Sequence, residues 1–306
     1  MMLELNEKKI RKGKPIGLPY QGSKKKISKK IVEIIKQNFG TEKPIYDIFG
    51  GGGAITAECM LNGLEVHYND LDRTITDMFQ RVLSADREFL KTLIVSRDEF
   101  FKIRDKENKT IDDNLKLLVN SFGNNKRSYL YSEKLSDSKY NLAVEIIEKY
   151  DAFDGYRKTE TYLGAKDIFK DQGCQKTQQD RMDRLQQLQR LQQLERLQQL
   201  GRLQQAEATN LDYTEVSGVE NAILYLDPPY QNTELDGYSI KYFDNQSFYD
   251  WAYEMSKKNI VLISSYEISD ERFKCVYEFK NAKSTLAPNG AGNKTEKLFM
   301  VKKGVK

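Results

Sequence analysis

The chain has 306 residues, 31% charged and 39% hydrophobic, which suits a globular protein with one large α/β domain and a smaller one. No stretch approaches the ~18 uninterrupted apolar residues of a membrane span. The amino terminus has no apolar signal-peptide core, so we expect no membrane partner and a cytoplasmic location. Cys59, Cys174, Cys275 and His67 are too scattered for a disulfide framework or a zinc site, so no metal is expected.

The net charge of +4 is unevenly distributed along the chain. Residues 1–30 carry ten lysines and arginines against two glutamates, which makes this segment +8 and the remainder −4. A basic arm of this kind favours contact with phosphates. A solvated terminal tail is the alternative.

The first third of the chain alternates strands and helices. Strand, glycine loop, helix and strand in succession indicate a βαβ unit and therefore a parallel sheet. In chain order we predict a helix over 27–39, a strand over 45–49, a tight loop over 50–53, a helix over 54–61, a strand ending at Asp70 and a helix from about Arg73.

The middle of the chain loses this alternation, and helices are predicted over 86–104, 111–120 and 139–149. It also contains a tandem repeat, RLQQLQ-RLQQLE-RLQQLG-RLQQAE, at 184–207. Its composition favours a helix, but a leucine at every third position drifts around a helix axis and forms no single apolar stripe. A solenoid of short turns is the alternative, and we assign the repeat no chemistry.

Strands return in the last third, over 222–226 and 259–267. The segments CVYEFK (275–280) and KLFMVKK (297–303) are predicted to form an antiparallel pair at the sheet edge. We therefore predict an α/β fold interrupted by a large, mostly helical insertion.

The stretch Asp227-Pro228-Pro229-Tyr230 follows a buried strand directly. Two prolines remove two backbone donors and fix two φ angles, so a stiff loop must begin there. In open α/β sheets, ligands bind at the carboxyl ends of strands. The loop therefore holds a carboxylate and an aromatic ring at a candidate site, although a simple surface turn would also contain these residues.

The glycine cluster Gly50–Gly53 lies at the start of a predicted helix, where a ligand can approach the backbone closely. The spacing does not match the G-x-G-x-x-G dinucleotide fingerprint. An adenosine-type ligand without a pyrophosphate still suits the loop, because Asp70 at the end of the next strand can accept hydrogen bonds from ribose hydroxyls. Asp70 as a helix cap is the alternative.

Phe49-x-Gly51-x-Gly53, Asp70 and the Asp227–Tyr230 loop, in that order, resemble the Dam-like, alpha-class DNA adenine methylases. "PYQGSKKKI" at 19–27 is similar to the family's aromatic-x-Gly-Gly-Lys element, with Ser23 in place of the second glycine. "NLDYTEV" at 210–216 is similar to its acidic-aromatic pair.

The resemblance implies a Rossmann-like, S-adenosylmethionine-dependent methyltransferase sheet with an inserted, mostly helical target-recognition domain. It implies a catalytic domain of residues 1–84 and 208–306, and a target-recognition region of residues 85–207. The implied catalytic residues are Asp227, Pro228, Pro229 and Tyr230. The implied cofactor-binding residues are Tyr20, Gly22, Lys24, Asp47, Phe49, Gly50, Gly51, Gly52, Gly53, Asp70, Asp212, Tyr213 and Asp227.

The implied partner is double-stranded DNA, possessing an adenine that must be flipped out of the helix, and a cognate restriction enzyme is a further candidate partner. The polar, aromatic and basic loop at 120–127 offers groups that read base edges or fill the gap left by a flipped base. An ordinary helix-to-helix loop is the alternative. The candidate DNA-binding residues are Asn120, Phe122, Asn124, Asn125, Lys126 and Arg127.

Three other functions are compatible with parts of the pattern. Amino-group methylation of cytosine, or of a protein glutamine, uses similar motifs, but Ser or Asn usually replaces the aspartate at 227, so Asp227 favours adenine. A DNA-binding regulator with a vestigial cofactor pocket is opposed by the intact motif set. A nicotinamide enzyme is opposed by the failed phosphate fingerprint.

Overall fold

The computed structural model describes residues 2–20, 23–171, 185–203, 206–229, 243–283 and 295–302. The chain forms two compact units. Unit 1 comprises Met1–Gly17, Gly22–Thr76 and Leu203–Lys306, and unit 2 comprises Leu18–Gln21 and Asp77–Arg202.

Unit 1 is built on a seven-stranded sheet with the order β3-β2-β1-β4-β5-β7-β6. The first five strands in this order run parallel, and β7 is antiparallel to both β5 and β6. The predicted α/β fold with a Rossmann-like sheet is confirmed. The strands are β1 (Ile45–Asp47), β2 (Val66–Asn69), β3 (Glu207–Thr209), β4 (Ile223–Leu226), β5 (Ile260–Ser265), β6 (Phe273–Lys283) and β7 (Thr295–Val301).

The helices of unit 1 follow the apolar pattern of the sequence. Helix α1 (Ser28–Phe39) buries Ile31, Val32, Ile34 and Ile35, and it ends at a glycine with positive φ. Helix α2 (Ala54–Leu61) has the predicted bounds. Helix α3 (Arg73–Leu83) begins at the predicted residue and contains the boundary between the units.

Some elements of unit 1 differ from the prediction. Strand β1 ends at Asp47, two residues earlier than expected, because the chain turns towards the glycine loop at this point. Strand β3 was not predicted. Its sequence, EAT, has one β-branched residue, and its pairing with β2 defines it as a strand. Helix α10 (Asn245–Met255) was also not predicted, and it buries Phe248 and Ala252.

The helices of unit 2 are α4 (Arg87–Lys91), α5 (Arg97–Arg104), α6 (Ile111–Asn120), α7 (Glu133–Tyr150), α8 (Glu160–Asp171) and α9 (Gln186–Leu203). The helical structure predicted over 86–104 is present, divided into the two helices α4 and α5. Asp86 and Ser96 each accept a backbone N–H of the helix that follows, and side chains of this kind favour helix starts. Helix α7 begins earlier than predicted, at Glu133.

The Leu-Gln repeat is helical, as predicted, from Gln186 onward. The leucines from Leu185 to Leu200 are all buried, and so are Gln187, Gln192 and Gln198. The helix therefore buries polar and apolar residues on several sides, as a three-residue period requires. The first N–H groups of a helix have no intrahelical partner. Here the N–H groups of Leu185 and Gln186 donate to the hydroxyls of Tyr156 and Tyr131.

Candidate active site

Three neighbouring parallel strands place the predicted site residues of unit 1. Strand β1 pairs with β2 on one side and with β4 on the other. The glycine loop follows β1, Asp70 follows β2 and Asp227 follows β4. Because parallel strands end at the same edge of a sheet, the three segments lie side by side, and the strand order reverses direction between β1 and β4.

The glycine loop is a tight turn held by its own backbone. The N–H of Gly53 donates to Gly50 O (2.8 Å), and the N–H of Gly50 donates to Asn69 O (2.8 Å). Gly51 and Gly53 have positive φ angles of 49° and 68°. A Cβ at Gly50 would lie 2.2 Å from the Tyr68 ring, so a side chain cannot be accommodated there. The turn needs glycine at these positions.

Asp70 connects the end of β2 with the glycine loop. Its Oδ2 accepts the N–H of Gly51 (2.7 Å), and its Oδ1 accepts the N–H of Asp72 (2.8 Å). Burial raises the pKa of Asp70 to about 6 against the lowering effect of these bonds. Asp72 caps α3, because its Oδ1 accepts the N–H of Thr74 (2.8 Å). Asp70 is therefore not the cap of this helix.

Asp47 lies inside unit 1, below the loop. Its Oδ2 accepts both the N–H (3.1 Å) and the hydroxyl (2.7 Å) of Thr56, in the first turn of α2. Burial is the main cause that raises the pKa of Asp47 to about 7. This geometry favours a role in joining β1 to α2 over a direct contact with a ligand.

Asp227 forms an ion pair with Lys24. Lys24 Nζ lies 2.9 Å from Asp227 Oδ1 and 3.7 Å from Glu296 Oε1, and the hydroxyl of Ser264 donates to the same Glu296 oxygen (2.7 Å). Both members of the Lys24–Asp227 pair are largely buried, with side-chain exposures of 13% and 16%. Lys24 was predicted to line the cofactor pocket, and its contact with the proline loop was not predicted.

The remaining members of the two motifs are only partly described. Pro228 and Pro229 are buried. Tyr230 and Gly22 lie outside the described residues. Tyr20 belongs to the Leu18–Gln21 segment of unit 2, where its N–H donates to Leu18 O (2.8 Å).

An aromatic cluster covers the end of β1. The Phe49 ring centroid lies 5.9 Å from that of Tyr213 and 5.8 Å from that of Phe248, and Tyr213 lies 5.1 Å from Trp251. The predicted residues Phe49 and Tyr213 are thus brought together. Phe248 and Trp251 were not predicted, although the aromatic run FDNQSFYDWAY on α10 marks their positions.

Asp212, the acidic partner of Tyr213 in its motif, is engaged locally. Its Oδ1 accepts the N–H (2.9 Å) and the hydroxyl (2.5 Å) of Thr214. This bond pattern caps the short 3-10 turn Tyr213–Glu215. The capping holds the Tyr213 segment in its conformation beside the aromatic cluster.

The predicted DNA-binding loop of unit 2 is closed by backbone bonds. Ser121 and Tyr129 form an antiparallel bridge, and the N–H of Phe122 donates to Ser128 O (2.7 Å). Asn125 Oδ1 accepts two backbone N–H groups within the loop. Positive φ angles at Gly123, Asn124 and Lys126 complete a tightly folded turn that leaves Phe122 64% exposed.

Asn120 does not share this exposure. It is fully buried, and its Nδ2 donates to Leu93 O and Lys116 O (2.7 Å each). Its Oδ1 accepts from Gln187 Nε2 (2.5 Å). An amide bonded on both sides inside the protein cannot read a base edge in this conformation, so we remove Asn120 from the candidate DNA contacts.

A cavity of about 230 Å³ in unit 1 adjoins these groups, since Tyr68 and Asn69 line it. Its other lining residues include Tyr46, His67 and Glu215. None of the predicted site residues lines it. We therefore place the candidate active site at the strand ends and not in this cavity.

Comparison with known proteins identifies the class. The family model described as D12 class N6 adenine-specific DNA methyltransferase matches residues 20–286, which is most of the chain. The match runs from Tyr20 to beyond Asp227 and contains both the glycine loop and the proline loop. The protein belongs to this family and is an enzyme that methylates adenine in DNA. The predicted resemblance to the adenine methylases is confirmed.

Among curated proteins, none matches this sequence. The solved structures that are similar to this chain include the rRNA methyltransferase aviRa from Streptomyces viridochromogenes. The two are 11% identical, the match covers 89% of this chain and 84% of that one, and the TM-score is 0.37. That likeness is too low to bear on activity. In the described ranges, no helix combines the length and apolar character that a membrane crossing requires.

Proposed function

We propose that the enzyme transfers a methyl group from S-adenosylmethionine to the exocyclic amino group of adenine at a specific site in double-stranded DNA. The observation that carries the proposal is the alignment of the glycine loop, Asp70 and Asp227 at the ends of three adjacent strands. The crevice beyond the point where strand order reverses is the ligand site of open α/β sheets.

The residues at this edge fit an adenosine-type cofactor. Gly50 admits no Cβ because the Tyr68 ring fills that position, and the tight turn lies at the N-terminus of α2, where a ligand can approach the backbone. Asp70 is bonded on one side to that loop and can accept ribose hydroxyls. Phe49 and Tyr213 offer half-buried aromatic faces to an adenine ring. S-adenosylmethionine, when bound, supplies an electrophilic methyl group.

Asp227 is the proposed catalytic residue. The lone pair of an exocyclic amino nitrogen is delocalised into its ring, which makes the nitrogen a poor nucleophile. The Asp227 carboxylate and the Pro228 carbonyl would accept the two N–H bonds and favour tetrahedral geometry, in which the lone pair is available. The stiff Pro228-Pro229 backbone orients these acceptors before the substrate arrives. Tyr230 is the proposed stacking partner of the base.

Lys24 is proposed to orient Asp227 as well as to line the cofactor site. Its ammonium holds one carboxylate oxygen at 2.9 Å in a largely buried setting. A cation at this distance favours the ionised carboxylate, which is the acceptor form that the reaction needs. Glu296 is a second acidic neighbour of Lys24.

The Ser121–Ser128 loop of unit 2 is the proposed DNA contact. Phe122 is the group that would fill the gap left by an extruded adenine. Asn124 and Asn125 offer their amide NH₂ groups, because Asn125 Oδ1 already accepts two backbone N–H groups of the loop. Lys126 and Arg127 would meet phosphates or guanine edges. On this proposal residues 85–207 recognise the target, and residues 1–84 and 208–306 carry the chemistry. A cytoplasmic location and a cognate restriction enzyme are parts of the same proposal.

The test is methylation of plasmid DNA with methyl-labelled S-adenosylmethionine, followed by nucleoside analysis and direct detection of modified bases. We expect label in N6-methyladenine within one sequence context. Label in N4-methylcytosine or in protein would replace the proposed substrate, and methylation scattered over all adenines would exclude site-specific recognition.

Lys24→Met tests the orienting role of the lysine. Lys26→Met is the matched control, because Lys26 belongs to the same 3-10 turn and is exposed. We expect Lys24→Met to lower the single-turnover rate by about tenfold, the loss of one buried charged contact. Equal rates in the two variants would remove Lys24 from the mechanism.

A further inference from the structure

The Leu-Gln repeat has no role in the proposed chemistry, yet two of its polar side chains are buried against the loop of unit 2. Gln187 is fully buried and Arg190 is 9% exposed. They stand three positions apart on α9 and therefore share one face of the helix. Most buried polar atoms have hydrogen-bond partners, and the partners of Gln187 Nε2 and Arg190 Nη1 show which segments these side chains hold.

Arg190 binds the end of helix α6. Its Nη1 donates to the carbonyls of Leu118 (3.1 Å), Val119 (2.7 Å) and Ser121 (2.8 Å). The last carbonyls of a helix have no intrahelical partner and carry the negative end of the helix dipole. A buried guanidinium at this point satisfies them and fixes the direction in which the chain leaves α6 for the loop.

Gln187 binds the chain on both sides of the loop. Its Nε2 donates to Asn120 Oδ1 (2.5 Å) before the loop and to Tyr129 Oη (3.2 Å) after it. The amide orientation follows from its surroundings, since the reversed amide would point its oxygen at Asn120 Oδ1 and at Val95 O. Gln187 therefore ties the incoming and outgoing chain together at the base of the loop.

The repeat supplies its own controls. Arg196 occupies the same repeat position as Arg190 and pairs with exposed Asp154 (3.6 Å). Gln199 occupies the same repeat position as Gln187 and is exposed. The burial of Gln187 and Arg190 is therefore due to their location opposite the loop and not to the repeated sequence.

We propose that Gln187 and Arg190 are positioning residues that hold the Ser121–Ser128 loop in the conformation that engages DNA. The inference rests on the proposed function of that loop as a DNA contact. It assigns the first units of the repeat a part in target recognition, carried through the backbone at both ends of the loop and not through contact with DNA.

The experiment compares Arg190→Met, Arg190→Lys and Gln187→Glu with the controls Arg196→Met and Gln199→Glu in the full-length enzyme. Gln187→Glu keeps the shape of the side chain but turns the donor into an acceptor facing Asn120 Oδ1. One readout is the KM for plasmid DNA against kcat. The other is the rate of tryptic cleavage after Arg127 under native conditions, which reports local opening of the loop.

We expect Arg190→Met and Gln187→Glu to raise the KM for DNA by about tenfold, with kcat and cofactor affinity nearly unchanged, because the altered groups lie away from the reacting atoms. Cleavage after Arg127 should accelerate by about tenfold at temperatures well below the melting temperature of each variant, the mark of local rather than global opening. Arg190→Lys retains the cation and should recover most of both losses, and the control variants should match the wild type.

Wild-type KM and wild-type cleavage in folded Arg190→Met and Gln187→Glu proteins would overturn the inference. A variant that melts early, with a lowered kcat and a raised KM together, would also overturn it, in favour of a general stability role. If Arg190→Met does not fold, Gln187→Glu and Arg190→Lys decide by the same criteria.

Phe122→Ala and Arg127→Ala separate the two proposals. If both leave the KM for DNA unchanged, the loop is not a DNA contact and the proposed function is wrong there, while the cleavage rates still show whether α9 holds the loop.

Discussion

The two units use polar side chains in opposite ways. In unit 1 the carboxylates Asp70 and Asp227 stand at strand ends beside a proposed ligand site, where Asp70 accepts the N–H groups of Gly51 and Asp72 and Asp227 pairs with Lys24. In unit 2 the polar residues Asn120, Gln187 and Arg190 are buried and bond to the backbone and to one another. The first arrangement prepares groups for a substrate, and the second fixes the shape of a loop.

This difference has a measurable consequence. Removal of a strand-end carboxylate from unit 1 should lower activity or binding by more than it lowers stability, because the group stands beside the proposed ligand site. Changes to the apolar packing of unit 2 should alter stability first. The following predictions test that contrast, from the largest expected effect to the smallest.

Asp227→Ala should lower single-turnover methylation of an adenine-containing duplex by at least ~100-fold, about 2.7 kcal/mol of transition-state stabilisation. The reason is loss of the acceptor that localises the amino lone pair. DNA binding should persist, since phosphate contacts elsewhere dominate affinity. A folded variant that methylates at the wild-type rate would end the catalytic assignment, whereas a melting temperature that falls with activity would favour a structural turn.

Asp70→Ala should weaken binding of S-adenosylmethionine by roughly 1.5–3 kcal/mol, through loss of charged hydrogen bonds. Calorimetry measures the affinity. Asp72→Ala is the matched control, because it removes the acceptor of the first N–H groups of α3 two residues away. The control should lose stability and keep its affinity. If the affinity of folded Asp70→Ala is unchanged, Asp70 does not bind the cofactor. Its role is then limited to accepting the N–H groups of Gly51 and Asp72.

The sequence predicted where the candidate residues of unit 1 lie, because the strands and turns that place them have clear local signals. Glycine is required where Gly50 meets Tyr68, and Asp70 and Asp227 directly follow β2 and β4. The Lys24–Asp227 ion pair was not predictable, since the two residues lie far apart in the chain and meet only in the fold. The proposed roles of these residues in catalysis and cofactor binding stay predictions.

Unit 2 was predicted less well for a physical reason. An asparagine has the same sequence signal whether its amide faces DNA or the interior, so Asn120 was grouped with its exposed neighbours. The prediction of helical structure over 86–104 did not locate the break between α4 and α5, where Ser96 accepts the N–H of Glu99. The repeat was correctly predicted as a helix, while the burial of Gln187 and Arg190 depends on tertiary contacts that a period cannot reveal.

Asp47 belongs to unit 1 but is buried like the polar residues Asn120, Gln187 and Arg190 of unit 2. Burial raises its pKa to about 7 in the folded protein, above its ordinary value of 3.8. The folded protein therefore keeps a proton that the unfolded chain has lost, and this group's contribution to stability declines as pH rises from about 4 to 7. Asp47→Asn cannot titrate and should gain ~1–2 kcal/mol over the wild type between pH 5 and pH 8.

Thermal melting across that pH range measures the Asp47 effect, with Asp137→Asn as the control at an exposed position on α7. The control should follow the wild-type slope. A parallel downward displacement of the Asp47→Asn curve at every pH would show that the buried carboxyl is ionised when folded and that the contrast between the units does not extend to this residue.

The smallest predicted effects come from two glycines in the helices of unit 2. Gly201 interrupts the repeat where α9 meets the end of α3, and a Cβ there would lie 2.5 Å from the carbonyl oxygen of Leu83. The backbone of Leu83 cannot move aside as a flexible side chain can, so Gly201→Ala should destabilise the protein by ~1 kcal/mol or more.

Gly164 in α8 has nothing within 4 Å of its Cβ position. Gly164→Ala should therefore stabilise by ~0.5–1 kcal/mol through helix propensity alone. Chemical denaturation of both variants gives the comparison, with single-turnover methylation as the second readout. Opposite shifts in stability, with the methylation rate of Gly164→Ala unchanged, would support a unit 2 whose interior is fixed by packing. Equal and small shifts would show that α9 can move away from Leu83, and that the repeat is held less tightly than its buried leucines indicate.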